Sequence, residues 1–331
     1  MSVRFPCITG LLLLMTLSGC SWLQRNSSSQ AVECERLQSQ AQRAERLGDP
    51  KEAILLLSQA VHVNPQDAEA HQRLGQLMLA QGQRPEALRH LNYAAQLSPD
   101  DALSWIRLAR AQLSCNENHT AAKSLNLALE LEPQNVSALL MSAAAERQMQ
   151  HDDEALTLFH RVLAVDPQST EALTGAAQIH LKRQHADRAA PLLRSVLQQN
   201  DLAPTKTSQA QWMLGIAYGA QKRWPDAVTA LKHPLAETQT HSADDWYRFA
   251  YACYQAQDPV QTADALRRAL ALKSAHEPSL RLASALTTDP STVTSPPIIA
   301  AGAIARGAVR PAVGQTISGA PMSPLIVPAG W

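Results

Sequence analysis

The chain repeats itself about every 34 residues, and a fixed period of that size limits what it can fold into. Segments beginning at Cys34, Ala68, Ala102, Val136 and Thr170 follow one another at this spacing. Two more begin at Ser208 and Ala243, after insertions of four residues and of one, and one further period reaches Glu277. The eighth place of each segment holds Gly or Ala: Ala41, Gly75, Ala109, Ala143, Ala177, Gly215 and Ala250. The twentieth holds Ala53, Ala87, Ala121, Ala155, Ala189 and Ala227, with Thr262 the exception. The twenty-fourth holds Leu57, Leu91, Leu125, Phe159, Leu193, Leu231 and Leu266. Small side chains at two fixed places let two antiparallel helices approach closely, and bulky apolar groups at the seventh and twenty-fourth places fill the space between neighbouring pairs. Pro65, Pro99, Pro133 and Pro167 close the first four segments, because proline lacks an N–H and clashes within a continuing helix.

This pattern resembles the tetratricopeptide repeat, a helix-turn-helix unit of about 34 residues, and the resemblance covers Cys34 to about Leu286. It implies an all-α, right-handed α-solenoid of about seven repeats, near 34–67, 68–101, 102–135, 136–169, 170–203, 208–241 and 243–276, with a capping helix over 277–286. Composition agrees: 45% of residues are hydrophobic but only 4% aromatic, which favours helix over strand. Gly48 and Gly82 suit left-handed helix ends, and Pro85 and Pro225 suit first helical turns. In the cap, Leu280, Ala283 and Ser284 take the places of another first helix. Pro191 is expected to delay or kink its helix. Pro234 is expected to end its helix near His233, leaving Asn200–Thr207 and Leu235–Ser242 irregular and marking a bend.

Met1 to Gly19 reads as an export signal. Arg4 and the amino terminus give a positive start, Ile8 to Leu17 an apolar stretch, and Ser18 and Gly19 are small. The stretch is shorter than the roughly 20 residues that span a bilayer. Leu17-Ser18-Gly19-Cys20 resembles the lipobox of bacterial lipoproteins. That resemblance implies a lipidated Cys20 at the head of the mature chain, a flexible tether over 20–33, and a place in the cell envelope, on the outer membrane facing the periplasm, since Ser21 rather than Asp follows. The alternative is a plain secretory signal, which leaves Cys20 unexplained. Residues 287–331 are rich in Pro, Ser, Thr, Ala and Gly and nearly uncharged, so a disordered tail is expected.

The 29 Lys and Arg balance 29 Asp and Glu, which argues against nucleic acid as a partner. None of the eleven histidines has a recognised metal-ligand spacing, so each reads as surface or helix-end filler. Cys253 reads as a small core residue. No catalytic motif, cofactor or small-molecule site is read from the chain, and no enzyme activity is expected. The stretch after Leu286 is short for a catalytic domain, although similar arrays also precede such domains.

In the family it resembles, first helices line a concave groove through the second, fifth, ninth, twelfth and thirteenth places. Here Leu103, Ile106, Leu140, Arg110, Arg147 and Lys182 occupy such places in the middle of the array, and Trp212, Ile216, Tyr247, Tyr251 and Tyr254 at its end. The three tyrosines share one helix face by their spacing, expected to lie opposite Phe249, Ala250 and Cys253. The expectation is an apolar or Pro-rich peptide on these aromatics, with Arg110, Arg147 and Lys182 open to acidic groups. The alternative packs the tyrosines against the capping helix or the tail. The whole then reads as a membrane-tethered interaction scaffold; alternatives are a pilotin-like assembly factor for a pilus or secretion system, a non-catalytic subunit of an envelope enzyme complex, and a soluble adaptor.

Overall fold

The computed structural model describes residues 29–199, 202–237 and 241–288. The signal, Cys20, the start of the tether and the tail from 289 onward lie outside the described residues. Those described form fifteen helices and no strand. Helix α1 spans residues 29–46. It is followed by α2 (Pro50–Val63), α3 (Ala68–Ala80), α4 (Arg84–Leu97), α5 (Ala102–Ser114), α6 (Asn118–Leu131), α7 (Val136–Gln148) and α8 (Asp152–Val165). Then come α9 (Thr170–Lys182), α10 (Ala186–Leu197), α11 (Pro204–Ala220), α12 (Trp224–Glu237), α13 (Ala243–Gln255), α14 (Pro259–Leu272) and α15 (Glu277–Thr288). The chain divides into two compact bodies, Met1–Val165 with α1–α8 and Asp166–Trp331 with α9–α15. Within each body, a first helix packs on the second helix of its own hairpin, and that second helix packs on the next first helix.

The repeating places do what their sizes require. At the eighth place Ala41, Ala109, Ala143, Ala177 and Ala250 have no exposure at all, and the twentieth-place alanines and Thr262 have none either. The twenty-fourth-place side chains are at most 4% exposed. Approach is tightest at the two glycines. A Cβ on Gly75 would stand 2.7 Å from Leu91 Cγ and 2.9 Å from the Ala87 carbonyl oxygen; one on Gly215 would stand 2.5 Å from Leu231 Cγ and Cδ2. The eighth, twentieth and twenty-fourth places of one hairpin thus meet at a single crossing.

Each hairpin turns on one left-handed residue at the fifteenth place: Gly48 and Gly82, then Asn116, Gln150, Gln184, Lys222 and Gln257, with φ between 60° and 78°. The next N–H caps the exposed carbonyls behind it, as where His185 N donates to the His180 carbonyl at 2.8 Å and Asp258 N to that of Cys253 at 2.9 Å. The opposite ends are capped by side chains. Asp67, Asp101, Asn135 and Ser169, again one period apart, each accept from the N–H three residues on. In the first repeat, Arg36 and Gln40 are exposed at the third and seventh places, where the second repeat buries Ala70 and Leu74. Its outer face is polar, as a terminal repeat requires.

Several expectations need correction. Residues 29–33 are helical rather than tether. Helix α12 runs through Pro234 to Glu237, because the proline removes a single backbone bond in the last turn while Leu235, 4% exposed, anchors that turn in the core. Pro191 does not delay α10, which starts at Ala186. Residues Pro204–Thr207 are not irregular: they add a first turn to α11, held by a 2.6 Å Lys206–Glu171 ion pair. Helix α15 buries Ser279, Leu282 and Ala283 and leaves Leu280 and Ser284 exposed, so its inward face is shifted from the expected one.

Candidate functional site

The places expected to line a groove lie together on one face of each first helix. In the first body this face carries Arg110, exposed on α5, and Arg147, part-buried on α7; Leu103 beside them is 48% exposed. Ile106 is not part of it, being 3% exposed in the core. In the second body Lys182 is exposed at the end of α9, and Trp212 and Ile216 are part-buried on α11. Trp212 stacks on His241 with ring centroids 6.0 Å apart, and His241 meets Trp246, over whose ring Arg268 lies at 4.7 Å.

Tyr247 and Tyr251 do not lie opposite the core. They are 7% and 5% exposed, as buried as Phe249 at 6%. The reason lies in their neighbours: His276, one residue before α15, sets its ring edge-on to Tyr247 at 5.7 Å, and Trp224 on α12 stands edge-on to Tyr251 at 5.7 Å. Burial pushes both phenols above their ordinary value. Tyr247 therefore packs beside the cap and Tyr251 against α12, and of the three only Tyr254 is part-exposed.

Three histidines expected at the surface are buried instead: His71 at 6%, His180 at 7% and His276 at 3% exposure. His276 binds Asp244 Oδ1 at 3.0 Å and Ser279 Oγ at 2.7 Å. His71 meets His90 Nδ1 to Nδ1 at 3.0 Å, and its Nε2 donates to the Pro65 carbonyl at 3.1 Å. Burial holds both histidines of that pair below the usual value. Among the described residues no three His, Cys, Asp or Glu come together as a metal site. Cys34 and Cys253 are fully buried thiols, pushed up by burial to about 11 and about 12, far from reactive thiolates. No described helix is long and apolar enough to cross a membrane.

Family models agree with this geometry. Two tetratricopeptide-repeat models match, one over residues 44–92 and 147–205, the other over 73–136. The matched stretches, 44–136 and 147–205, carry tetratricopeptide repeats. Similar solved structures include a tetratricopeptide repeat protein from Parabacteroides merdae at 18% identity, covering 76% of this chain and 98% of that one with a TM-score of 0.54. Pseudomonas aeruginosa pilF matches at 14% identity, over 66% of this chain and 97% of its own, with a TM-score of 0.54. YrrB, described as a TPR protein with an unusual peptide-binding site, matches at 18% identity over 59% of this chain and 97% of its own, with a TM-score of 0.52. At these identities the likeness is one of fold. No curated protein matches the sequence significantly. The tetratricopeptide architecture is that of a protein-interaction scaffold.

Proposed function

We propose that these repeats form a scaffold tethered in the bacterial cell envelope, lipidated at Cys20, that holds a protein or peptide partner on its first-helix faces. The observation that carries the binding half is the display of apolar and basic side chains at the groove places, with Leu103 and Arg110 exposed on α5 and Trp212 and Ile216 part-buried on α11. The peptide-binding site described for YrrB supports the same use of the fold. The tether rests on the lipobox-like segment before Cys20. Two or more acyl chains would make such an anchor stable, at about 0.8 kcal/mol per buried CH₂. Within this reading an assembly factor for a pilus or secretion channel is the narrower role, supported by the combination of anchor and array.

Two measurements test it. Cells expressing the full chain are labelled with a palmitate analogue, with Cys20→Ser as control; label on the wild type alone is expected, and equal labelling or none removes the anchor. Separately, a photo-crosslinking residue at position 110 or 216 is expected to trap a discrete partner that the same residue at exposed Leu272 does not. Trapping that is equal at all positions removes the binding reading.

A further inference from the structure

Arg73 and Arg107 hold the same place, the sixth, in successive repeats. Arg73 reaches back one repeat: its Nη2 meets Glu45 Oε1 at 3.0 Å, and its Nη1 donates to the Gln38 carbonyl at 3.4 Å. One period on, the counterpart of Gln38 is Gln72, which offers the same carbonyl, but the counterpart of Glu45 is Leu79. Leu79 is a part-buried side chain packed on the cluster of Leu91, Ala95, Leu108 and Ala111. Arg107 therefore has the register of Arg73 without the carboxylate that completes it. It is part-buried, and Arg110 is exposed nearby on the same helix. Neither makes a hydrogen bond or an ion pair among the described residues. Helix α5 carries no Asp or Glu, nor do the groove places of α7, while Leu103 stands 48% exposed.

We propose that this face of α5 receives an acidic, apolar segment of a partner protein, whose carboxylate stands at Arg107 as Glu45 stands at Arg73. A guanidinium meets a carboxylate in a planar, charge-assisted pair, and partial burial strengthens it by lowering the local dielectric. Arg110 adds a second positive charge, and Leu103 offers apolar area to the side chains flanking the acid. The inference rests on the reading that first-helix faces bind a partner, and it names that partner's chemistry.

The test uses the full chain and three labelled synthetic peptides of equal length, with leucines at helical spacing separated by Glu, by Gln or by Lys. Binding is read by fluorescence anisotropy at low and high salt. The Glu peptide is expected to bind about tenfold tighter than the Gln peptide, an advantage that salt erodes. Arg107→Gln should abolish the preference. Leu79→Glu should abolish it too, by restoring the missing carboxylate within the chain. Circular dichroism and melting check that each variant is folded, and Arg107→Gln carries the test alone should Leu79→Glu unfold. Equal binding of the Glu and Gln peptides, or a preference untouched by Arg107→Gln, overturns the inference. So does binding of none of the peptides, or Arg107-dependent binding to phosphatidylglycerol vesicles in place of the peptide. Crosslinking at position 216 in the second body remains an independent reading of the scaffold role, so the two failures are distinguishable.

Discussion

His71 and His90 face each other through their Nδ1 atoms, 3.0 Å apart, with ring centroids 5.2 Å apart. The Pro65 carbonyl can only accept, so His71 Nε2 carries a hydrogen and its Nδ1 offers a lone pair. His90 Nδ1–H must then be the donor. The neutral pair already shares the Nδ1 hydrogen, so one extra proton is taken at His90 Nε2, while a second would set two N–H groups against each other. Burial lowers both values. For His71 the Pro65 hydrogen bond and Asp67 oppose that fall; for His90 the charges of His71 and Arg89 add to it.

A folded-state value below the unfolded one means that the pair's contribution is fully present above the ordinary histidine value, near 6.5 in the unfolded chain. It is lost as pH falls through the lowered folded values. Urea melts of the full chain across this range should show stability falling as pH drops. In His90→Asn, whose side-chain amide can still donate to His71 Nδ1, one titrating group is gone and the fall should be shallower. Parallel curves for the two proteins would show that the pair does not set the pH dependence.

The close approach of Gly215 to Leu231 predicts a coupling. Gly215→Ala gains helix propensity of about 1 kcal/mol but places a methyl 2.5 Å from a side chain with no exposure. Overpacking of this kind costs about 1–3 kcal/mol, so net destabilisation is expected. Leu231→Ala alone should cost about 2–5 kcal/mol through the cavity it leaves. In that background Gly215→Ala should become neutral or stabilising. A double-mutant cycle by chemical denaturation measures the coupling, and additive penalties would contradict it.

The seven turns make a graded series. Gln150, Gln184, Lys222 and Gln257 hold the conformation that Gly48 and Gly82 hold, and a side chain there costs about 1–2 kcal/mol. Part of that is offset by glycine's greater freedom in the unfolded chain. Each change to Gly should therefore stabilise its hairpin by about 0.5–1 kcal/mol, while Gly48→Ala should destabilise by about as much. Thermal melts of single and combined variants decide it, and a loss of stability in Gln184→Gly would refute the account.

The spacing of small and bulky residues was enough to read the hairpins, because the eighth, twentieth and twenty-fourth places of one repeat pack on one another. The capping residues Asp67, Asp101, Asn135 and Ser169 also recur one period apart, but their N–H partners show only in the structure. What escaped depends on neighbours that local pattern does not encode. His71 looks like any helix-end histidine until the hairpin folds and α4 brings His90 against it. The sixth-place arginines show their difference only once Arg73 is seen to reach Glu45, since each alone resembles a solvated charge. The tyrosines of α13 share one side of its helix, but their neighbours, Trp224 on α12 and His276 before α15, decide whether that side is open.

That packing gives the second body its most exacting test. Tyr247 meets His276 at 5.7 Å, and His276 joins Asp244 on α13 to Ser279 on α15. The ring thus helps seat the cap on the last hairpin. Tyr247→Phe keeps the ring and should change stability by less than about 1 kcal/mol. Tyr247→Ala removes a large buried aromatic and should cost about 3–5 kcal/mol, with amides of α15 losing hydrogen-exchange protection before those of α11. A surface tyrosine serving only a ligand would instead tolerate alanine with no change in exchange at α15. That outcome would return Tyr247 to the binding face and overturn its assignment to the core.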